Sequence, residues 1–210
     1  MIISQTTDAF LRISEVIAHG GVIAFRTDTF YGLGADPFNR GAVQRIKQLK
    51  GREDHKPILI IISDREAVKR VIAEPTPNFD LLAKAFWPGP LTLIGKAASD
   101  VPDEVTAGTG TIGVRLPGDE EVRALVSACG GALTATSANL AHEEPATTAQ
   151  KVFSYFGNAI ELIVDGGDVA IDQPSTVVDV GRVEPRLIRE GAITWTEIQA
   201  QIDRIRADRS

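Results

Sequence analysis

Gly108-Thr109-Gly110-Thr111-Ile112-Gly113-Val114-Arg115-Leu116-Pro117 decides what kind of α/β chain this is. Its first six residues match G-x-G-x-x-G, the pattern that seats a dinucleotide pyrophosphate on a helix N-terminus when a strand precedes it and a helix follows. Neither neighbour fits. Asp103–Ala107 is a poor strand, and Val114-Arg115-Leu116 runs on extended until Pro117 ends it. Thr111–Leu116 is therefore read as a strand, and the Rossmann reading fails. A Walker A loop is absent too, so a nucleotide site in this chain would use other means.

On either side lie further runs rich in β-branched residues: Gly21–Arg26, Pro57–Ser63, Leu91–Gly95, Ala132–Thr136, Ile160–Asp165, Ser175–Val180 and Arg186–Arg189. Apolar residues at helical spacing mark Ala9–Ile17, Ala42–Leu49, Val68–Ile72, Val122–Cys129, Val152–Phe156 and Ile198–Ile205, with Phe79–Phe86 a further candidate. Capping boxes are expected at Ser63 with Glu66, Thr147 with Gln150 and Thr194 with Glu197, and Gly130-Gly131 and Gly157 are stop signals. Strands and helices interleave without strict alternation. That favours an α/β fold built on an open, twisted mixed sheet with flanking helices over a regular doubly wound fold or barrel. With no repeat, low-complexity tract or long linker, one domain over residues 1–210 is expected, its core about 8–193, with 194–210 a C-terminal helix and frayed tail.

The chain has 43% apolar and 24% charged residues, enough to bury a real core. Met1–Leu11 lacks the basic start and apolar run of a signal peptide, and no apolar stretch nears the roughly 20 residues that span a bilayer. A single cysteine, Cys129, excludes an internal disulfide and a cysteine-rich zinc site. A cytoplasmic protein without a membrane partner is expected. The net charge of −6 argues against a surface that coats nucleic acid generally, though a local basic site remains compatible with it.

Unusual chemistry is densest at Lys47, Lys50, Gly51, Arg52, His55, Lys56 and Pro57, where a helix passes into a strand. Two readings stand from the residues alone. Cations near a helix C-terminus complement its dipole and are commonly just solvated. Alternatively, Gly51 and Pro57 frame a rigid loop in which Lys50, Arg52 and Lys56 converge on a polyphosphate. Thr134-Ala135-Thr136-Ser137-Ala138-Asn139 is similarly double: an Asx or ST turn satisfying its own backbone, or hydroxyls, an amide and main-chain N–H groups that hold phosphate oxygens.

Taken in order, these segments resemble the YrdC-like domain family, whose core members are L-threonylcarbamoyladenylate synthases. The resemblance runs through Gly20–Phe25, Thr27-Asp28-Thr29-Phe30-Tyr31-Gly32-Leu33-Gly34, Lys50-Gly51-Arg52, Lys56-Pro57 and Phe86-Trp87-Pro88-Gly89-Pro90-Leu91-Thr92-Leu93. It continues through Thr111–Arg115, Ser137-Ala138-Asn139, Pro174-Ser175-Thr176-Val177-Val178-Asp179 and Leu187-Ile188-Arg189-Glu190-Gly191. Each segment is weak by itself; the ordered set is specific.

The resemblance implies an open α/β fold around a concave basic site, and a nucleotidyltransferase that joins ATP, L-threonine and bicarbonate to give threonylcarbamoyl-AMP and pyrophosphate. A tRNA threonylcarbamoyl-transfer complex would use the product. Carried over position by position, it places Arg52 and Lys56 on the ATP phosphates with Lys50 beside them, as the catalytic cations. Thr111, Ser137, Asn139 and Arg189 match positions that help hold ATP, and Thr29, Arg115 and Ser175 match positions around the threonine. Magnesium is expected chiefly on the ATP, with no side-chain metal site. Arg26 stands where many members have proline before Thr-Asp-Thr. Ile61 takes a position that is polar in some members and touches threonine there, and Leu140-Ala141-His142 replaces a commoner Leu-Ser-Gly. The chain looks like the short, single-domain type. Two other readings remain: double-stranded RNA binding on a concave basic surface, and a paralogue acting on another carbamoyl or acyl substrate.

Overall fold

The computed structural model describes residues 1–51, 56–169 and 173–207, with side chains to residue 204. Ten strands form one sheet in the order β1-β8-β2-β3-β7-β4-β6-β5-β9-β10. They are β1 (Ile2–Ser4), β2 (Ile23–Arg26), β3 (Tyr31–Gly34), β4 (Leu59–Ile62), β5 (Leu91–Lys96), β6 (Thr111–Arg115), β7 (Ala132–Ser137), β8 (Leu162–Asp165), β9 (Thr176–Asp179) and β10 (Arg186–Arg189). The helices are α1 (Thr7–Ala18), α2 (Arg40–Lys50), α3 (Val68–Val71), α4 (Pro77–Phe86), α5 (Asp103–Thr106), α6 (Glu120–Ala128), α7 (Ala149–Phe156) and α8 (Trp195–Ala207). Four pairs are parallel (β1 with β8, β8 with β2, β4 with β6, β5 with β9) and the other five antiparallel, so the sheet is mixed as its sequence pattern implies.

Side chains alternate between the two faces of a strand, and here that alternation builds two separate cores. Ala24, Leu33, Ile60, Leu93, Ile112, Val114 and Val178 point to one face and pack with residues of α2, α3, α4, α5, α7 and α8. Ile23, Phe25, Ile61, Leu133 and Val164 point to the other, where α1 supplies Ile13 and Ile17 and α6 supplies Val122, Leu125 and Val126. Burying each of these large side chains contributes about 2 kcal/mol. The second face is covered only over part of its width. Beyond α6 the strands β5, β6 and β9 turn Thr92, Gly113, Arg115 and Val177 into an open cavity.

Two strands and one helix depart from the sequence expectation. β3 reads Tyr-Gly-Leu-Gly, and its glycines depress any strand signal. At Gly34 the absent side chain is required: a Cβ there would lie 2.6 Å from a Phe25 ring carbon. β1 is three residues at the sheet edge, too short to show a period. Asp103–Thr106, read as a poor strand, is one helical turn closed by Ala107 at φ 52°.

The capping boxes divide. Thr194 and Glu197 form theirs, with Glu197 Oε2 accepting from Thr194 N at 2.8 Å and Thr194 Oγ1 from Glu197 N at 3.3 Å. Ser63 with Glu66 does not form, because Asp64 Oδ1 takes Ala67 N at 3.0 Å and Ser63 Oγ donates to the other Asp64 oxygen. Thr148 replaces Thr147 as the cap of α7, accepting from Lys151 N at 3.0 Å. Among the described residues no helix is long and apolar enough to cross a membrane.

Candidate active site

The cavity has a volume of about 590 Å³, within the range of small-molecule sites. Its floor is the uncovered face of β7, β4, β6, β5 and β9, and its walls are Thr27, Thr29 and Phe30 of one turn, Pro57, Pro145, Pro174-Ser175 and Ile188-Arg189. Gly113 keeps the floor deep, since a Cβ there would meet Thr92 Cγ2 at 3.2 Å.

Arg115 ends β6 on that floor and is 2% exposed. Its Nη2 lies 2.9 Å from Asp28 Oδ1, while its buried Nε has no hydrogen-bond partner. Burial lowers the affinity of the guanidinium for its proton, Asp28 opposes that, and nearby Arg189 adds to it. Arg115 nevertheless stays a cation, because arginine does not lose its proton in proteins. The Thr27 hydroxyl orders the turn that carries Asp28: it donates to Phe30 O at 2.7 Å and accepts from Thr29 N and Phe30 N, both at 3.2 Å.

Ser175 gathers the opposite wall. Its hydroxyl is 3.0 Å from Thr92 Oγ1, and its carbonyl accepts from Arg189 Nη2 at 2.8 Å and Nε at 3.2 Å. Burial lowers the Arg189 pKa as well. The approach is close because Gly191 lacks a Cβ, which would stand 2.1 Å from Pro174 O. Tyr31 lies at the cavity's edge with its hydroxyl donating to Gly167 O at 2.9 Å and lying 3.2 Å from Asp165 Oδ1. Burial, then the Asp165 charge, pushes its phenol pKa far up.

Thr29, Arg115, Ser137, Ser175 and Arg189 thus come together around one cavity. Among the described residues, Lys50, Lys56, Thr111 and Asn139 do not line it. Thr111 shares the β6 face of Gly113 and Arg115, but its hydroxyl lies 3.1 Å from Thr109 Oγ1. Lys50 departs from the expectation of a loop cation facing phosphate. It is 7% exposed, and its ammonium donates to Ser137 O, to Asn139 O at 3.0 Å and to Asn139 Oδ1 at 3.2 Å. The reason is its place in the last turn of α2, which aims it at the exit of β7 rather than outward. Asn139 is held by the same arrangement, its Nδ2 donating to Leu140 O at 3.0 Å and Glu143 O at 2.7 Å. Lys56 is exposed. Arg52 and His55 lie outside the described residues.

Thr92, Thr27 and Tyr31 were not singled out from sequence. Thr92 carried a usable signal, a hydroxyl in an apolar strand on the face opposite Leu91 and Leu93. Among the described lining residues there is no carboxylate, imidazole or thiol, and the described residues hold no cluster of three such groups. The described lining residues therefore supply no side-chain ligand set for a magnesium ion. Cys129 packs against the α1/α6 core.

The sequence matches the Sua5/YciO/YrdC family, described as "Telomere recombination", over residues 15–191. The chain belongs to this family. It is 38% identical over 190 residues to the threonylcarbamoyl-AMP synthase of Pyrococcus abyssi, covering 90% of this chain and 56% of that protein. It is 34% identical over 208 residues to the threonylcarbamoyl-AMP synthase of Bacillus subtilis, covering 99% of this chain and 60% of that protein. The crystal structure of Pyrococcus abyssi Sua5 complexed with L-threonine superposes with a TM-score of 0.91 at 35% identity, covering 96% of this chain and 61% of that one. The chain thus spans less than two thirds of the length of these relatives.

Within the Sua5/YciO/YrdC family the three departures take definite places. Ile61 is fully buried with Val122 and Leu125 in the α1/α6 core and does not line the cavity. His142 adopts φ 69° in the loop after Asn139. Arg26 pairs with Asp119, the N-cap of α6, at 2.5 Å.

Proposed function

We propose that this chain is an L-threonylcarbamoyladenylate synthase. The observation that carries the reading is Arg115: a guanidinium at the floor of a small-molecule cavity, backed by a carboxylate, in a cavity also lined by Thr29, Ser137 and Ser175. Such a cation suits the carboxylate of an amino acid, and the family supplies the candidate, L-threonine.

In the proposed reaction the threonine amine takes up the carbon of bicarbonate with loss of water. An oxygen of the resulting carbamate bonds to the α-phosphorus of ATP, and the bond to the pyrophosphate oxygen breaks. The attacking group belongs to the substrate, so no side-chain nucleophile is required. Arg115, paired with Asp28, orients the threonine carboxylate, and the Thr29 and Ser175 hydroxyls fix its remaining polar atoms. Arg189, clamped on Ser175, and the Ser137 hydroxyl face the nucleotide. Lys50 acts by holding the 137–139 turn in place. Arg52 and Lys56 are assigned to the phosphates on the resemblance alone. Magnesium carried by ATP would neutralise charge on the phosphates, while the protein's own residues add position and a water-poor surround. The product is suited to a tRNA threonylcarbamoyl-transfer complex.

The test is pyrophosphate release from ATP with L-threonine and bicarbonate supplied together and singly. Release is expected only with both. Release that ignores either omission, or none under any condition, overturns the proposal.

A further inference from the structure

Two ion pairs bridge the same two stretches of chain with opposite polarity. Arg26, at the end of β2, reaches Asp119 at 2.5 Å, and Asp28, two residues on, reaches Arg115 at 2.9 Å. One stretch therefore presents arginine then aspartate, and the other aspartate and arginine to match. β2 and β6 are not neighbours in the sheet, having β3, β7 and β4 between them. Among the described residues no backbone hydrogen bond joins 26–29 to 115–119. The ion pairs are the polar links between these stretches.

The outer pair is also built in on both sides. Asp119 uses Oδ1 to cap α6, accepting from Glu121 N at 2.9 Å and Val122 N at 3.2 Å, which leaves Oδ2 for Arg26. Arg26 has its Nε buried beside Gly166, whose missing Cβ would stand 3.1 Å from that atom. Glu121 adds a second, more distant carboxylate at 3.7 Å. Arg26 itself does not line the cavity.

We propose that Arg26 is a positioning residue: clasped to the N-cap of α6, it fixes the 26–29 turn against the end of β6 and so sets Asp28 on Arg115 and shapes the amino-acid half of the cavity. The kinetic part of this proposal rests on the synthase reading; the structural part does not.

The experiment compares Arg26→Gln, Arg26→Lys and Asp119→Asn. Asparagine caps a helix about as well as aspartate, so the last variant removes the pair and keeps α6. In protein labelled with 15N-arginine, the buried Arg115 Nε–H, assigned by its loss in Arg115→Lys, is followed by hydrogen exchange. Arg26→Gln and Asp119→Asn are expected to speed that exchange about tenfold and to raise KM for L-threonine about tenfold, with KM for ATP within about twofold; Arg26→Lys recovers part of both. Should Arg26→Gln fail to fold, Asp119→Asn carries the test.

Exchange within about twofold of wild type in both variants overturns the proposal. So does an equal loss of threonine and ATP affinity, which marks a merely structural pair, or faster exchange in an active enzyme with no threonine-selective shift. A wild-type protein that neither binds L-threonine nor turns over ATP sinks the synthase reading instead, and the Arg115 exchange still decides whether Arg26 positions it.

Discussion

Asp28 and Arg115 differ in how much water each reaches, and that difference sets what removing either one does. Asp28→Asn leaves a guanidinium that is 2% exposed without its counter-charge, and should cost about 3 kcal/mol in urea unfolding. Arg115→Gln leaves a carboxylate that still touches solvent and should cost about 1–2 kcal/mol, with L-threonine affinity lost far more than ATP affinity in calorimetry. The double variant should cost less than the two together. Strict additivity, within about 0.5 kcal/mol, would mean the pair contributes no coupling. Lys50 and Lys56 make a second contrast, six residues apart in sequence. Lys50→Met strips the donor from Ser137 O, Asn139 O and Asn139 Oδ1, and should cost about 2–3 kcal/mol. Lys56→Ala alters an exposed side chain and should stay within about 0.5 kcal/mol. Comparable melting temperatures for both lysine variants would contradict the placement of the Lys50 ammonium.

At the level of elements, most of the sheet was legible because its strands carry β-branched residues in runs bounded by turn formers; β6, with Thr111, Gly113 and Arg115 on one side and Ile112 and Val114 on the other, is such a case. β3 was not legible, since its two glycines depress the strand signal and Gly34 is required by the Phe25 ring rather than by strand propensity. Gly34→Ala tests that: its Cβ would sit 2.6 Å from the Phe25 ring and 3.3 Å from Thr134 O, and overpacking of this kind costs about 1–3 kcal/mol. Gly51→Ala, at φ 57° with nothing within 4 Å of the new Cβ, should show only the backbone penalty of about 1 kcal/mol. The alternation of β6 put Arg115 on a defined face; whether α6 covers that face or leaves it open was beyond local pattern. The end of α6 supplies a pH test. Burial pushes the Cys129 thiol up to about 12, above the ordinary value of about 8.5. The folded state then holds this proton more tightly, so the contribution is complete below about pH 8.5 and is lost as pH rises through about 12. Cys129→Ala should therefore lose less stability than wild type between about pH 8 and 10.5. Parallel urea midpoints across that span would show that the thiol titrates normally.

Across the whole molecule, the cavity exists because α1 and α6 cover one part of a ten-stranded sheet and leave the rest of that face open. Its walls come from chain segments far apart in sequence, Thr27, Thr29 and Phe30, then Ser137, Ser175 and Arg189, so an occupant would tie distant parts of the chain together. A ligand that binds only this assembled state stabilises it by mass action, about 2.7 kcal/mol at a concentration 100 times its Kd. For a domain of this size each kcal/mol moves the midpoint by about 2–4 °C, which gives a rise of about 5–10 °C. L-Threonine with a non-hydrolysable ATP analogue should produce that rise in a thermal melt. The two contributions should separate by variant: Arg115→Gln should lose the threonine-dependent part and keep the nucleotide part, because the proposal assigns the nucleotide to Arg189 and Ser137. D-Threonine should give little, because the proposed site would hold three substituents of one chiral centre with Arg115, Thr29 and Ser175. Equal shifts from the two enantiomers, or a threonine shift that survives Arg115→Gln, would place the amino acid somewhere other than this cavity floor.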